Sequence, residues 1–238
     1  MTKKYDAVLF DLDGTLLPLD QDYFIKQYFK ALCKSLEPHG YKPDELVGGV
    51  WAGTGAMIGN DGTRSNEEAF WSGFASACGL RVLDDKRLFD DFYVGGFQSL
   101  REFTSPSDKP RALIKELRRR KTVSVIASQP IFPMCAHLSQ MEWAGLDPDD
   151  FTLITAYENS AFCKPAPGYY KSISSDIGVS PERCLMVGND TGDDAPARDV
   201  GMDVFILTDC LINRKNEDLS VYPHGTMDEM ISYVLDNT

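Results

Sequence analysis

Asp11 and Asp13 stand one residue apart in the stretch FDLDGT, residues 10–15, directly after the short apolar run AVLF at 7–10. Gly14 behind them permits a sharp turn. An Asx turn at a strand end accounts for one aspartate but not for two, because carboxylates this close either repel each other or share a cation. An EF-hand loop does not fit. Thr15 and Leu16 stand where a third oxygen ligand and the obligatory glycine belong, and Asp22 stands where the closing glutamate belongs.

Three further stretches could add to this pair. Ser128 ends the run TVSVIA in VIASQP, where a hydroxyl and the free N–H groups after a strand can meet a phosphate oxygen. Lys164 lies in CKPAPGYY, between strand-like TLIT and a helical pattern, in a loop stiffened by Pro165 and Pro167. Finally, VGNDTGDD at 187–194 places Asp190 and Asp194 four apart, with Asp193 between, so a turn opening into a helix brings both carboxylates over one point. Each has an ordinary reading: a turn serine, a surface lysine, a helix-capping aspartate.

The elements that must position them argue for the combination. AVLF (7–10), TVSVIA (122–127), TLIT (152–155), CLMV (184–187) and VFIL (204–207) read as strands buried on both faces, as in a parallel sheet. Helical patterns separate most of them: Met134, Leu138 and Met141 share a face ahead of Gly145, and Tyr170, Ile173 and Ile177 precede Gly178. Thr226 and Glu229 stand at capping-box spacing before a last helix. The pattern predicts a doubly wound α/β core, with residues 1–17 and 104–238 forming it. Residues 18–103 carry helical signals only: the stripe Ile25, Phe29, Leu32 and Leu36, a start at Ser65 and Glu68 ahead of Phe70 and Phe74, and Leu88 with Phe92 before Gly95. This segment reads as a helical cap inserted after the first strand. Its glycine-rich stretch, 48–62, reads as a connection between helices or a substrate loop; Ile58 in the third glycine position rules out a dinucleotide fingerprint. Trp51, Arg64 and Trp71 are candidates for contact with substrate.

In a parallel sheet all carboxyl strand ends lie at one edge, where ligands bind. Asp11, Asp13, Asp190 and Asp194 meeting there form a like-charge cluster that calls for a hard divalent cation, and magnesium suits oxygen-only ligands. The formal net charge of −12 repels nucleic acid and anionic membrane surfaces, so an anionic substrate must be met by local cations. Six scattered cysteines without a C-x-x-C pair read as reduced thiols, and no stretch has the length of a signal peptide or a membrane span. These features lead us to expect a cytoplasmic protein, a monomer or weak homodimer, with neither a nucleic-acid nor a membrane partner.

Taken in order, DLDGT, Ser128, Lys164 in KPAP, and GNDTGDD resemble the four motifs of the haloacid dehalogenase superfamily, over essentially the whole chain. The position of the cap resembles the subgroup with a helical bundle inserted after the first motif. The resemblance implies a phosphatase of a small phosphorylated metabolite, with Asp11 as nucleophile and Asp13 as general acid and then base. It implies a phosphoryl group held by Ser128 and Lys164, with Thr15 and Gln129 beside them, and Mg2+ held by Asp190, Asp194, Asp11 and the Asp13 backbone carbonyl. Gln129 departs from the asparagine that often follows the motif serine or threonine. A sugar-phosphate mutase, a dehalogenase and a non-catalytic phosphate-binding module are the alternatives.

Overall fold

The computed structural model describes residues 3–238. Six strands form one sheet in the order β3-β2-β1-β4-β5-β6, and every neighbouring pair is parallel. They are β1 (Ala7–Phe10), β2 (Val123–Ile126), β3 (Leu153–Ile154), β4 (Cys184–Gly188), β5 (Asp203–Leu207) and β6 (His224–Gly225). The sixth, only two residues long, lies in a stretch without an apolar run, and the sequence pattern does not announce it. Chain order reverses at β1, whose neighbours are β2 and β4. The carboxyl ends of these strands flank a topological switch point, the place where such sheets open a crevice.

Alternation along β1 divides the core. Val8 and Phe10 pack with Leu113, Ile114, Leu117 and Met230 on one face, while Ala7 and Leu9 pack with Tyr169, Tyr170 and Ile173 on the other. Those partners belong to the flanking helices described next, so the sheet is covered on both sides and must read as continuous apolar runs.

Between β1 and β2 the chain forms α1 (Gln21–Leu36), α2 (Pro43–Ile58), α3 (Asn66–Cys78), the single turn α4 (Arg81–Asp84), α5 (Lys86–Val94) and, beside β2, α6 (Asp108–Arg119). Then come α7 (Met134–Trp143), α8 (Pro167–Ile177) and α9 (Met227–Asn237). The two connections that bracket α1–α5 run side by side: Leu19 bridges Thr104, and Ser105 N donates to Pro18 O at 2.8 Å.

Two sequence expectations change. The glycine-rich stretch is largely helical, within α2, and two of its glycines serve close packing: a side chain on Gly49 or Gly53 would overlap the ring of Phe74 or Phe70 in α3. In α7 the apolar face is not the one expected. Leu138 is exposed, and the buried residues are Ala136, His137, Gln140, Met141 and Trp143.

The start of α3 is fastened to the core. Ser65 and Glu68 form a capping box. The next two N–H groups, from Asn66 and Glu67, donate to Ser160 O and Tyr157 O, both at 2.8 Å. The fully buried Asn66 amide reaches Pro130 O and Phe162 O, each at 3.2 Å. Helix N-termini leave such donors unmet; here core carbonyls meet them.

Candidate active site

Asp11 follows the last residue of β1 and continues the ladder, its N–H donating to Val187 O in β4 at 2.8 Å. The chain then turns at Gly14, where φ is +81° and the Asn189 side chain fills the space a Cβ would need. Both constraints demand glycine. Thr15 is fully buried, its hydroxyl 3.0 Å from Asn189 Oδ1 and 3.4 Å from Asp11 Oδ2. It does not line the cavity, so its place is behind Asp11.

Lys164 is 2% exposed and its ammonium bridges two carboxylates, Asp11 Oδ1 at 2.8 Å and Asp194 Oδ1 at 2.7 Å. Burial works against a charged lysine, but Asp11 and Asp194 outweigh it and hold Lys164 well above its usual value. It remains an ammonium. Burial pushes the Asp11 carboxyl up to about 7, with Lys164 opposing and Asp194 and Asp13 adding to the rise. The second oxygen of Asp194 accepts the Asp190 N–H at 3.0 Å. The sequence expectation placed Asp194 among the cation's ligands; here it anchors Lys164 and the turn after β4. Asp190 accepts the Gly192 N–H with Oδ1 at 2.7 Å and lines the cavity.

Gln129 also differs from expectation. Its Nε2 donates to Lys164 O and to Asp193 Oδ2, both at 3.1 Å, and its Oε1 accepts the Lys164 N–H at 2.9 Å. The side chain grips both sides of the Lys164 backbone, which asparagine is one methylene too short to copy. Ser128 is 3% exposed and lines the cavity, while its carbonyl accepts from Tyr169 Oη at 2.7 Å and Thr155 Oγ1 at 3.0 Å. The β2 end is thereby fixed.

Asp13 has a partner that the sequence did not suggest. Gln140 Nε2 on α7 donates to both Asp13 oxygens, at 2.7 and 3.0 Å. Burial raises Asp13 to about 6, against the opposing Gln140 bond and Lys164 charge. Gln140 and its neighbour His137 are both fully buried; Gln140 Oε1 and both His137 ring nitrogens have no hydrogen-bond partner among the described residues. The available sequence signal was a glutamine and a histidine on a helix otherwise packed with apolar residues.

Above these groups lies a cavity of about 150 Å3. Its floor includes Asp11, Asp13, Ser128, Lys164 and Asp190, and its roof comes from α1, α2, α3 and α5. Trp51 and Trp71 both line it; Arg64 does not.

Among the described residues, no three histidine, cysteine or acidic side chains converge closely enough to enclose a metal alone. The donors nonetheless suit magnesium, which binds through one or two carboxylates and completes its shell with water and phosphate oxygens. Asp11 and Asp190, which both line the cavity, are the carboxylates that would hold it. No helix among the described residues is long and apolar enough to cross a membrane.

Comparison with solved structures agrees with this architecture. A predicted phosphoglycolate phosphatase from Haemophilus somnus 129PT superposes with a TM-score of 0.61 at 15% identity, over 98% of this chain and 99% of that one. L-2-haloacid dehalogenase from Xanthobacter autotrophicus gives 0.57 at 16%, over 98% and 100%. A putative HAD hydrolase from Bacillus subtilis, bound to magnesium, gives 0.56 at 19%, over 98% and 99%. These likenesses establish the fold. No curated protein matches by sequence. The profile of the haloacid dehalogenase-like hydrolases matches residues 5–201, so the chain belongs to that hydrolase family.

Proposed function

We propose that the protein is a magnesium-dependent phosphatase acting on a small phosphomonoester through Asp11. The observation that carries this reading is the contact of Asp11 with a buried, charged Lys164 on the floor of a cavity shared with Asp13. Lys164 and Ser128 hold the phosphoryl group over Asp11. An Asp11 oxygen bonds to phosphorus as the ester P–O bond breaks, and the departing oxygen takes its proton from Asp13. Asp13, now a carboxylate, receives a proton from water as that water's oxygen attacks phosphorus, and the Asp11–phosphorus bond breaks to give inorganic phosphate. An acid raised to about 6 suits a group that must give and take a proton near neutrality. Gln140 holds Asp13 in place through both exchanges. Asp11 and Asp190, with the Asp13 backbone carbonyl, would hold magnesium, which would supply positive charge to the phosphoryl oxygens.

A dehalogenase reading fits less well. A 2-haloacid brings a carboxylate, and Lys164 is the only lysine, arginine or histidine among the described cavity residues and is already shared by two aspartates. The reaction also makes no use of Asp13 as an acid. The test is phosphate release from a panel of phosphomonoesters with and without Mg2+, comparing the native chain with Asp11→Asn. Magnesium-dependent release that disappears in the variant is expected; equal release by both proteins refutes the assignment.

A further inference from the structure

The cavity over Asp11 also constrains what leaves with the ester oxygen. Six residues of α1 line it, Gln21, Phe24, Ile25, Tyr28, Phe29 and Leu32, spaced as one continuous helix face. Tyr93 from α5 and Phe132 from the loop before α7 close round Tyr28: the Tyr28 and Tyr93 hydroxyls bond each other at 3.1 Å, and the Tyr28 and Phe132 rings meet edge to face at 5.3 Å. One of these hydroxyls donates to the other, and both residues line the cavity.

Charge complementarity is equally one-sided. No described roof residue is a lysine, arginine or histidine, and the one charged roof side chain, Asp90, is acidic and exposed. A second anionic group on the substrate, a carboxylate or another phosphate, would be desolvated here without a partner and beside several aspartates, which is strongly unfavourable. A cationic group finds no buried counter-charge in the roof, and one face of Trp71 is already taken by the Lys86 ammonium, 4.7 Å from the ring centre. A polyhydroxy alcohol would meet mostly rings and aliphatic chains, since Gln21, Thr54 and the tyrosine hydroxyls are among the few polar groups of the lining above the floor. The buried indole N–H of Trp71 lies near the Tyr157 hydroxyl without a well-formed hydrogen bond, so the two can share one oxygen of a substrate. The volume of about 150 Å3 matches cavities that take up a benzene-sized molecule.

We infer that the natural substrate is the monophosphate of an uncharged, mainly apolar alcohol of about one ring's size. This inference rests on the phosphatase reading above. The chemistry is unchanged: the ester oxygen leaves with the Asp13 proton as the free alcohol, and the apolar group holds that oxygen in line with Asp11.

The test compares four primary-alcohol phosphates with the purified full chain and Mg2+: benzyl phosphate, glycerol 3-phosphate, phosphoglycolate and phosphoethanolamine. Burying one ring should give benzyl phosphate a kcat/KM at least about 10-fold above each of the others. Equal or better turnover of the polyol, anionic or cationic ester overturns the inference and leaves the phosphatase reading standing. Failure of every ester to release phosphate removes both. Two variants add a check that general damage to the fold would not reproduce. Ile25→Arg, on the half-buried cavity side of α1, should raise phosphoglycolate relative to benzyl phosphate by roughly 10-fold or more. Trp51→Ala, at a half-exposed position, should lower kcat/KM for benzyl phosphate more than for glycerol 3-phosphate. An unchanged ratio in both folded variants also overturns the inference.

Discussion

Replacing His137 by leucine removes a titrating group from the fully buried face of α7, one turn from the glutamine that holds Asp13. Burial lowers the His137 pKa from 6.5 to about 4, with the nearby Gln140 side chain opposing the shift and Lys164 adding to it. A folded-state value below the unfolded one means that the unfolded chain takes up the proton first. The neutral imidazole therefore contributes stability that is complete above pH 6.5 and is lost as pH falls toward about 4. Linkage with these two values gives a loss of about 2 kcal/mol between pH 7.5 and pH 5 at 25 °C, rising to roughly 3 kcal/mol below pH 4. His137→Leu lacks this dependence and leaves no buried ring nitrogens without partners. Asp11 and Asp13 run the other way. Their raised values favour the folded state at low pH, and that stability is lost as pH rises toward about 7 and about 6. Both proteins share those groups, so the difference between them isolates His137. Urea unfolding at pH 7.5, 6 and 5 measures it: the stability of the native chain minus that of the variant should fall by about 2 kcal/mol across the range. A difference that stays constant would show that the ring is hydrated or paired, and the buried, neutral histidine would have to be abandoned.

Asp13→Asn should slow phosphorylation of Asp11 by an alkyl ester on the order of 10²–10⁴-fold, and by an activated aryl ester much less, in single-turnover experiments; an equal loss for both esters contradicts the acid role. Saturation with Mg2+ at about a hundredfold above its dissociation constant should stabilise the native chain by roughly 2.7 kcal/mol. Asp190→Asn should gain much less at the same concentration, in thermal melts matched in ionic strength with sodium; an equal gain would place the cation elsewhere. Gln129→Ala removes two hydrogen bonds to the Lys164 backbone and one to Asp193. Because small misplacement of a positioning group is costly, turnover should fall by about 10²-fold with the melting temperature nearly unchanged, and Gln129→Asn should not restore it.

The strands that carry the motifs were legible because burial on both faces turns a strand into an unbroken apolar run; AVLF and CLMV pair directly as β1 and β4. The short edge strand β6 has almost no core to face and leaves no such trace. Within the site, spacing and residue type pointed to Asp11, Lys164 and Asp190, which lie at adjacent strand ends. They did not show that the Asp194 oxygens also meet Lys164 and the Asp190 N–H, contacts that only the fold brings together. Gln129 and Gln140 are a similar case. An amide's role is decided by the partners folding brings to it, some of them more than a hundred residues away. The helical reading of 18–103 foundered only on its glycines, which a loop and a tight helix crossing use alike.

The fastening of α3 to the core bears on how often the cavity is open. Four hydrogen bonds join Asn66 and Glu67 to the carbonyls of Pro130, Tyr157, Ser160 and Phe162. Water replaces each of these when the contact separates, so each resists separation by only about 1 kcal/mol net. On those four bonds alone the contact would stand broken on the order of one part in a thousand of the time, and the Phe70 and Tyr157 rings, 6.3 Å apart across it, make the open state rarer still. Hydrogen exchange at the amides of Asn66 and Glu67 reads this fraction directly. Slowing of both by a bound phosphate analogue would make the helix start a clasp, whose release sets a ceiling on how fast products leave.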